Sequence, residues 1–335
     1  MPKTIPISLL ELALVTQGSN AAQTLQKTTE AAQHADRLGY KRIWLAEHHN
    51  MQHVASSATV VLIGHIAGAT QNIRVGSGGI MLPNHSPLVV AEQFGTLETL
   101  YPNRIDLGLG RAPGTDGLTA QALRSDFHAQ AQQFPKNVAA LQAYLSGDNA
   151  TSAVRAFPGE GLHIPIWILG SSTESAMLAA SYGLPYAFAA HFAPQQMMQA
   201  FELYREHFEP SESLPAPKTM ACVNLIGADT NAEAAVLSSS LYRMFLGLIQ
   251  NNRQPLQPPV PSLDGLMNEA EAYHVSTMTA CTFVGDTGHL KTELAKFIEY
   301  TKIDELMITS PIYDHAAKLR SLEIGAEVVK SLVFG

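Results

Sequence analysis

Lys41-Arg42-Ile43-Trp44-Leu45-Ala46-Glu47-His48-His49-Asn50 joins a strand-like apolar run directly to a carboxylate, two imidazoles and an amide. The polar cluster falls at the C-terminal end of the strand, where α/β folds gather their chemistry. Upstream, Asn20 to Gly39 carries apolar residues at helical spacing and stops on a glycine, so the unit reads helix, turn, strand, site.

The same alternation continues along the chain. Strand-like runs lie at Ile5 to Leu10, Arg42 to Ala46, Ile73 to Ile80, Arg104 to Leu109, Pro165 to Leu169, Pro185 to Ala190, Thr219 to Ile226 and Glu305 to Thr309, with helical patterns between most of them. Eight strands imply a closed (β/α)8 TIM-type barrel. An open doubly wound sheet usually has fewer strands and a phosphate loop after the first, whereas Ser8 to Ser19 holds no glycine-rich fingerprint. The expectation is a single barrel domain over 1–335, with an insertion at about 250–275. There, Pro255, Pro258, Pro259, Pro261 and Asp264-Gly265 resist regular structure; the segment reads equally as a lid or as a surface loop.

Composition narrows the function. Only 15% of the 335 residues are charged and 46% are hydrophobic, so much surface is expected to be hidden in a core or a subunit interface. The stretch at 54–70 is almost entirely small or apolar, and such a helix must be covered on both sides; a contact between two copies is the main reading, tight packing on its own barrel the other. A formal charge of -8 without a Lys/Arg cluster argues against nucleic acid or an anionic membrane and favours a small neutral or apolar substrate. Met1 to Pro6 lacks the apolar run of a signal peptide, and no later segment is expected to reach the length that spans a bilayer, so a cytoplasmic location is expected. Cys222 and Cys281 lack CxxC spacing and read as buried reduced thiols.

Three further strand ends carry chemistry. Gly76-Ser77-Gly78-Gly79 lets the backbone approach a planar ligand, although glycines in a strand also mark bulges. Asp106 to Gly114 spaces its last glycine as GxGxxxG and inserts Pro113, which excludes a dinucleotide loop. Gly170-Ser171-Ser172-Thr173-Glu174-Ser175 opens a helix after the fifth strand; small hydroxyl residues at a positive helix end suit a phosphate and are also ordinary caps.

Four motifs together, WLAEHHN at 44–50, VGSGGIMLPNHSP at 75–87, AEQFGTLETLYPNRIDLGLGR at 91–111 and LGSSTESAMLAASYGLP at 169–185, resemble the bacterial luciferase-like flavin monooxygenases, nearest to an uncharacterised alkanal-monooxygenase-like branch. The likeness extends over essentially the whole chain. It implies a TIM-type barrel with insertions, reduced FMN as cosubstrate, O2 as oxidant, and a homodimer formed through helices near 54–70 and 87–101. In residue terms it implies His48 as the catalytic acid or base beside the flavin, a role suited to a group that titrates near neutrality. Gly78 and Gly79 match a pair joined by a non-prolyl cis peptide under the flavin ring. Gly170, Ser171, Ser172 and Ser175 fall in the phosphate segment, and Arg111 matches an arginine that reaches the phosphate. Gly110 replaces the reactive cysteine of the luciferase large subunit, which puts light emission in doubt. His85 and His191 lie just beyond strand ends, and one of them is expected in the substrate pocket.

The implied activity oxygenates a small aldehyde-like or apolar compound, with reduced FMN supplied by a separate NAD(P)H-dependent flavin reductase. The deazaflavin F420 is the runner-up cofactor, and a non-catalytic flavin-binding protein is another alternative. A metal-dependent hydrolase using Glu47, His48, His49 and His53 fits less well, because the strands lack a companion HxH pair or a late aspartate; no metal site is expected.

Overall fold

The computed structural model describes residues 4–124 and 126–333. Its strands are β1 (Ile7–Glu11), β2 (Arg42–Leu45), β3 (Arg74–Ser77), β4 (Ile80–Met81), β5 (Ile105–Gly110), β6 (Ile166–Gly170), β7 (Tyr186–Phe188), β8 (Thr219–Gly227), β9 (Thr282–Gly285) and β10 (Glu305–Thr309). All pairings between these strands are parallel, and eight of them, β1, β2, β3, β5, β6, β7, β8 and β10, close a barrel. Closure comes from β10, whose Ile308 pairs with Leu9 on one side and Val223 on the other. The eight expected strands are these eight staves.

Period-two alternation sorts side chains between two cores. Leu9, Ile43, Leu45, Val75, Leu107, Ile168 and Val223 face outward into the large core beneath the helices. Leu10, Trp44, Trp167, Ala187, Met220, Cys222 and Met307 fill the barrel interior. Beneath that plug, toward the N-terminal ends of the strands, lies a buried charge network. Arg42 is paired with Asp106 at 2.5 Å and with Glu305 at 2.6 Å, and its guanidinium sits over the rings of Trp44 and Trp167. Each charge here is matched, as a buried ion requires.

Several details depart from the expectations. The run at Ile73 to Ile80 is two strands, because the chain breaks at Gly78-Gly79 and resumes as β4 against β5. A further strand, β9, extends the upper half of β8 outside the barrel. The irregular insertion ends at Asn268, which caps a helix at Glu269–Met278 by accepting from the Glu271 N–H while the Glu271 carboxylate accepts from the Asn268 N–H. The expectation that no segment reaches bilayer length is corrected: helix Asn231–Ile249 is long and apolar enough to cross a membrane by length and composition. Its apolar character has a local use, since Ala234, Leu241, Phe245 and Leu246 are buried against the neighbouring strands and the Glu269–Met278 helix.

Candidate functional site

The site is assembled at the C-terminal ends of the staves. After β2 the chain leaves the sheet at Glu47, which is 1% exposed. Its Oε1 accepts from His49 Nε2 and from His85 Nε2, both at 2.9 Å, and its Oε2 accepts from the Met81 N–H at 3.2 Å. Burial by itself would raise this carboxyl, but the hydrogen bonds from His49 and His85 outweigh it and hold the group down at about 2. Glu47 is therefore ionised, and both imidazoles donate to it. Glu47, His49 and His85 could also hold a metal ion, since one ligand atom from each lies within 4.8 Å of the others. The 2.9 Å contacts are hydrogen-bond distances, and the carboxylate with its donors already accounts for them.

His48 makes no hydrogen bond with that trio among the described residues. Its backbone N–H donates to the Ser56 carbonyl at 3.3 Å, and its Nδ1 is buried without a hydrogen-bond partner among the described residues. Burial pushes the imidazole down to about 4, with His53 adding to the effect and Glu47 opposing it. His191, just past β7, has the same character: Nδ1 is buried and unpartnered, and burial followed by the nearness of His48 lowers the ring to about 4. Both rings are neutral at pH 7. The structure places His85 on Glu47, where the His85 backbone carbonyl also accepts from Arg124 Nη1 at 2.8 Å.

Between β3 and β4 the Gly78–Gly79 peptide bond is cis. A side chain on Gly78 is barred, because its Cβ would stand 2.6 Å from Leu10 Cδ1 and 3.0 Å from Trp44 Cβ. Leu10 and Trp44 belong to the interior plug, so this bare backbone lies directly against the apolar floor of the mouth. Gly110 ends β5 and pairs with Met81.

The phosphate-type segment is built as a helix start. Ser172 caps helix Thr173–Ser181, its Oγ accepting from the Ser175 N–H at 3.4 Å. Ser175 Oγ donates to the Ser172 carbonyl at 2.7 Å and meets the Tyr186 hydroxyl at 2.9 Å, so it fixes the turn. Gly170 carries no side chain because a Cβ there would lie 2.0 Å from Ser175 Oγ. Glu174 in the first turn has its carboxyl lowered by its own backbone N–H and by the Ser172 hydroxyl, with a smaller contribution from Arg111, which is exposed after β5.

Two contributors escaped the sequence reading. Asn224 of β8 donates its Nδ2 to the His191 carbonyl at 2.7 Å, and a lone buried amide in an apolar strand was the available signal. Arg253 comes from the insertion, which is tied down by backbone hydrogen bonds between Leu256 and both Val15 and Gln17, and its charge reaches His48 and His53. Nothing local in the sequence places it there.

Comparison with known proteins agrees with this geometry. The family model for luciferase-like monooxygenases matches residues 7–305. A luciferase-like monooxygenase of Escherichia coli strain K12 is 46% identical over 331 residues, covering 99% of each chain. Among solved structures, apo-MsnO8 superposes with a TM-score of 0.87 at 34% identity, covering 98% of this chain and 99% of its own. The oxygenating constituent of 3,6-diketocamphane monooxygenase from Pseudomonas putida, a type II Baeyer-Villiger monooxygenase in complex with FMN, shares the fold with a TM-score of 0.75 at 16% identity, covering 99% of both chains. With its barrel and the order of its strand-end motifs matched from end to end, this chain belongs to the luciferase-like monooxygenase family.

Proposed function

We propose that the protein is a flavin-dependent monooxygenase that uses reduced FMN and O2 to oxygenate a small aldehyde-like or apolar substrate, the reduced flavin being supplied by a separate NAD(P)H-dependent reductase. The observation that carries the reading is His48, a neutral imidazole just beyond the C-terminal end of β2 whose buried Nδ1 has no partner among the described residues. Unpartnered buried polar atoms call for a ligand.

The residues present fit the cofactor. Gly78 and Gly79 offer bare backbone to a flat ring, while Ser171, Ser172 and the first-turn N–H groups of helix Thr173–Ser181, with Arg111 beside them, offer a donor set suited to a phosphate. Bound there, reduced flavin would supply the two electrons and the oxygen activation. The chain's own part is to hold the ring, keep water from the apolar mouth and manage a proton at His48. The P. putida monooxygenase bound to FMN is consistent with that choice.

A homodimer completes the proposal. Helix Thr59–Ala69 buries Leu62, Ile63, Ile66 and Ala67 against the barrel and leaves Val61 71% exposed; in helix Pro87–Leu100, Val89 and Leu100 are also exposed. A second copy would cover both faces.

Anaerobic titration with reduced FMN, followed by fluorescence, tests the reading. Saturable binding with FMN preferred over reduced F420 supports it; binding of F420 alone makes hydride transfer the activity, and binding of neither removes the flavin assignment.

A further inference from the structure

We propose that a cleft at the ends of β1 and β10 is a second small-molecule site, one that takes a small organic monocarboxylate with an apolar body. None of its lining residues belongs to the flavin or histidine clusters described above, and the proposal stands whether or not the protein binds flavin.

Three parts of the chain make the cleft. Helix Ala21–Arg37 contributes Thr24, Lys27 and Thr28, which share one face at the i, i+3 and i+4 positions. The chain leaving β10 contributes Thr309 to Tyr313 and then, from helix His315–Ser331, His315 and Lys318. The end of β1 and its loop contribute Glu11, Leu12 and Leu14, and Leu256 reaches in from the proline-rich insertion. The space is about 500 Å3 and open to solvent, a size that suits a small molecule.

Hydrogen bonds hold the cleft in shape. Leu256 donates its N–H to the Val15 carbonyl at 2.8 Å, and its carbonyl accepts from the Gln17 N–H at 2.9 Å. The Tyr313 hydroxyl donates to the Gln17 carbonyl at 2.9 Å, which ties the segment after β10 to the same loop. With three parts of the chain already joined, binding has little more to order.

The lining then selects the ligand. Leu256, Pro311 and Ile312 are buried, and half-buried Leu12 and Leu14 join them, so an apolar body gains by leaving water here. Lys318 Nζ lies 2.5 Å from Glu11 Oε2, while Glu11 Oε1 accepts from the Ala13 N–H at 2.8 Å; that pair is satisfied within the protein. His315 Nε2 is engaged by Glu30 Oε2 at 3.0 Å. Lys27 has no ion-pair or hydrogen-bond partner among the described residues, which leaves one cation over for one negative charge. A phosphate dianion is disfavoured, because Glu30 and Asp314 line the adjoining outer cleft, which also includes Lys27 and His315.

The loop after β1 is a wall shared with the site at the mouth. Its Val15 N–H donates to the His53 carbonyl at 2.9 Å, its Ala13 carbonyl accepts from the Ala55 N–H at 2.9 Å, and its Leu12 carbonyl accepts from Ser56 Oγ at 3.1 Å. A ligand in the cleft therefore rests on the segment that supports the loop carrying His48.

The test is isothermal titration of the full-length protein with phenylpropanoate, compared with phenylpropanol, which lacks the charge, and phenylethylphosphonate, which carries more of it. Phenylpropanoate is expected to bind saturably and at least about fivefold tighter than either comparator. Lys27→Met keeps the stem and removes the charge. It should weaken phenylpropanoate by about fivefold or more and leave phenylpropanol as in wild type, and Lys27→Arg should restore the carboxylate. Absence of saturable phenylpropanoate binding, an unchanged Kd in Lys27→Met, or tighter binding of the phosphonate would each overturn the proposal. Should Lys27→Met fold poorly, Lys27→Gln answers the same question with the same outcomes.

Discussion

His85 Nε2 lies 2.9 Å from Glu47 Oε1, a hydrogen bond that ties the segment after β4 to the loop after β2. Because His49 Nε2 reaches the same oxygen, one buried carboxylate fixes two flanks of the site, with His48 between Glu47 and His49 in the chain.

Glu47→Gln removes the charge that both imidazoles bind. The folded carboxyl sits at about 2 against an ordinary 4.5, so its contribution is fully present above the ordinary value and is lost as pH falls through the folded one. That difference corresponds to about 3 kcal/mol. Chemical denaturation at neutral pH is expected to show a loss of that order for Glu47→Gln. The wild type should lose this increment between pH 4.5 and about 2, and the variant should not; parallel acid profiles would contradict the assignment.

His48→Ala removes the acid or base but none of the phosphate contacts. Product formation is expected to drop by roughly 10²- to 10⁴-fold, the range for a lost general acid–base group. Reduced-FMN affinity should stay within a few-fold of wild type. Single-turnover rates together with binding isotherms separate the two effects, and equal losses in both would place His48 in binding instead.

Ser172→Asp distinguishes capping from phosphate binding. Aspartate caps a helix about as well as serine, so the Thr173–Ser181 helix should survive, while a negative charge at its start repels a phosphate. Reduced-FMN affinity is expected to fall by about tenfold or more, equivalent to about 1.4 kcal/mol. An unchanged Kd with an unchanged melting temperature would move the phosphate elsewhere.

Gly170→Ala places a methyl where Ser175 Oγ already sits, 2.0 Å from the new carbon. Overpacking of this kind costs about 1 to 3 kcal/mol. The double variant Gly170→Ala/Ser175→Gly removes the clash and should recover part of the loss in thermal denaturation; no recovery would mean that the strain lies in the backbone.

Val61→Asp tests the proposed dimer face. Val61 is 71% exposed on helix Thr59–Ala69, so a charge there costs the folded subunit little and an apolar interface a great deal. Sedimentation velocity should show a dimer for wild type and a monomer for the variant. Identical profiles would exclude this face as the contact.

The sequence by itself determined the eight staves, because period-two apolar runs bounded by turn residues are local signals that survive in any context. It also located the EHH cluster, the paired glycines and the serine-rich helix start, since each is a short motif at a strand end. Tertiary structure decided which of three similar histidines faces which partner. His49, His85 and His191 all follow strand ends, yet two bind Glu47 and one packs its ring against Phe192, because side-chain direction depends on where each loop turns after its stave. Closure of the barrel set β2 opposite β7, and the descent of the insertion onto Val15 and Gln17 carried Arg253 to the mouth. Contacts between residues so far apart in the chain come from the packing of whole elements, which no local pattern encodes.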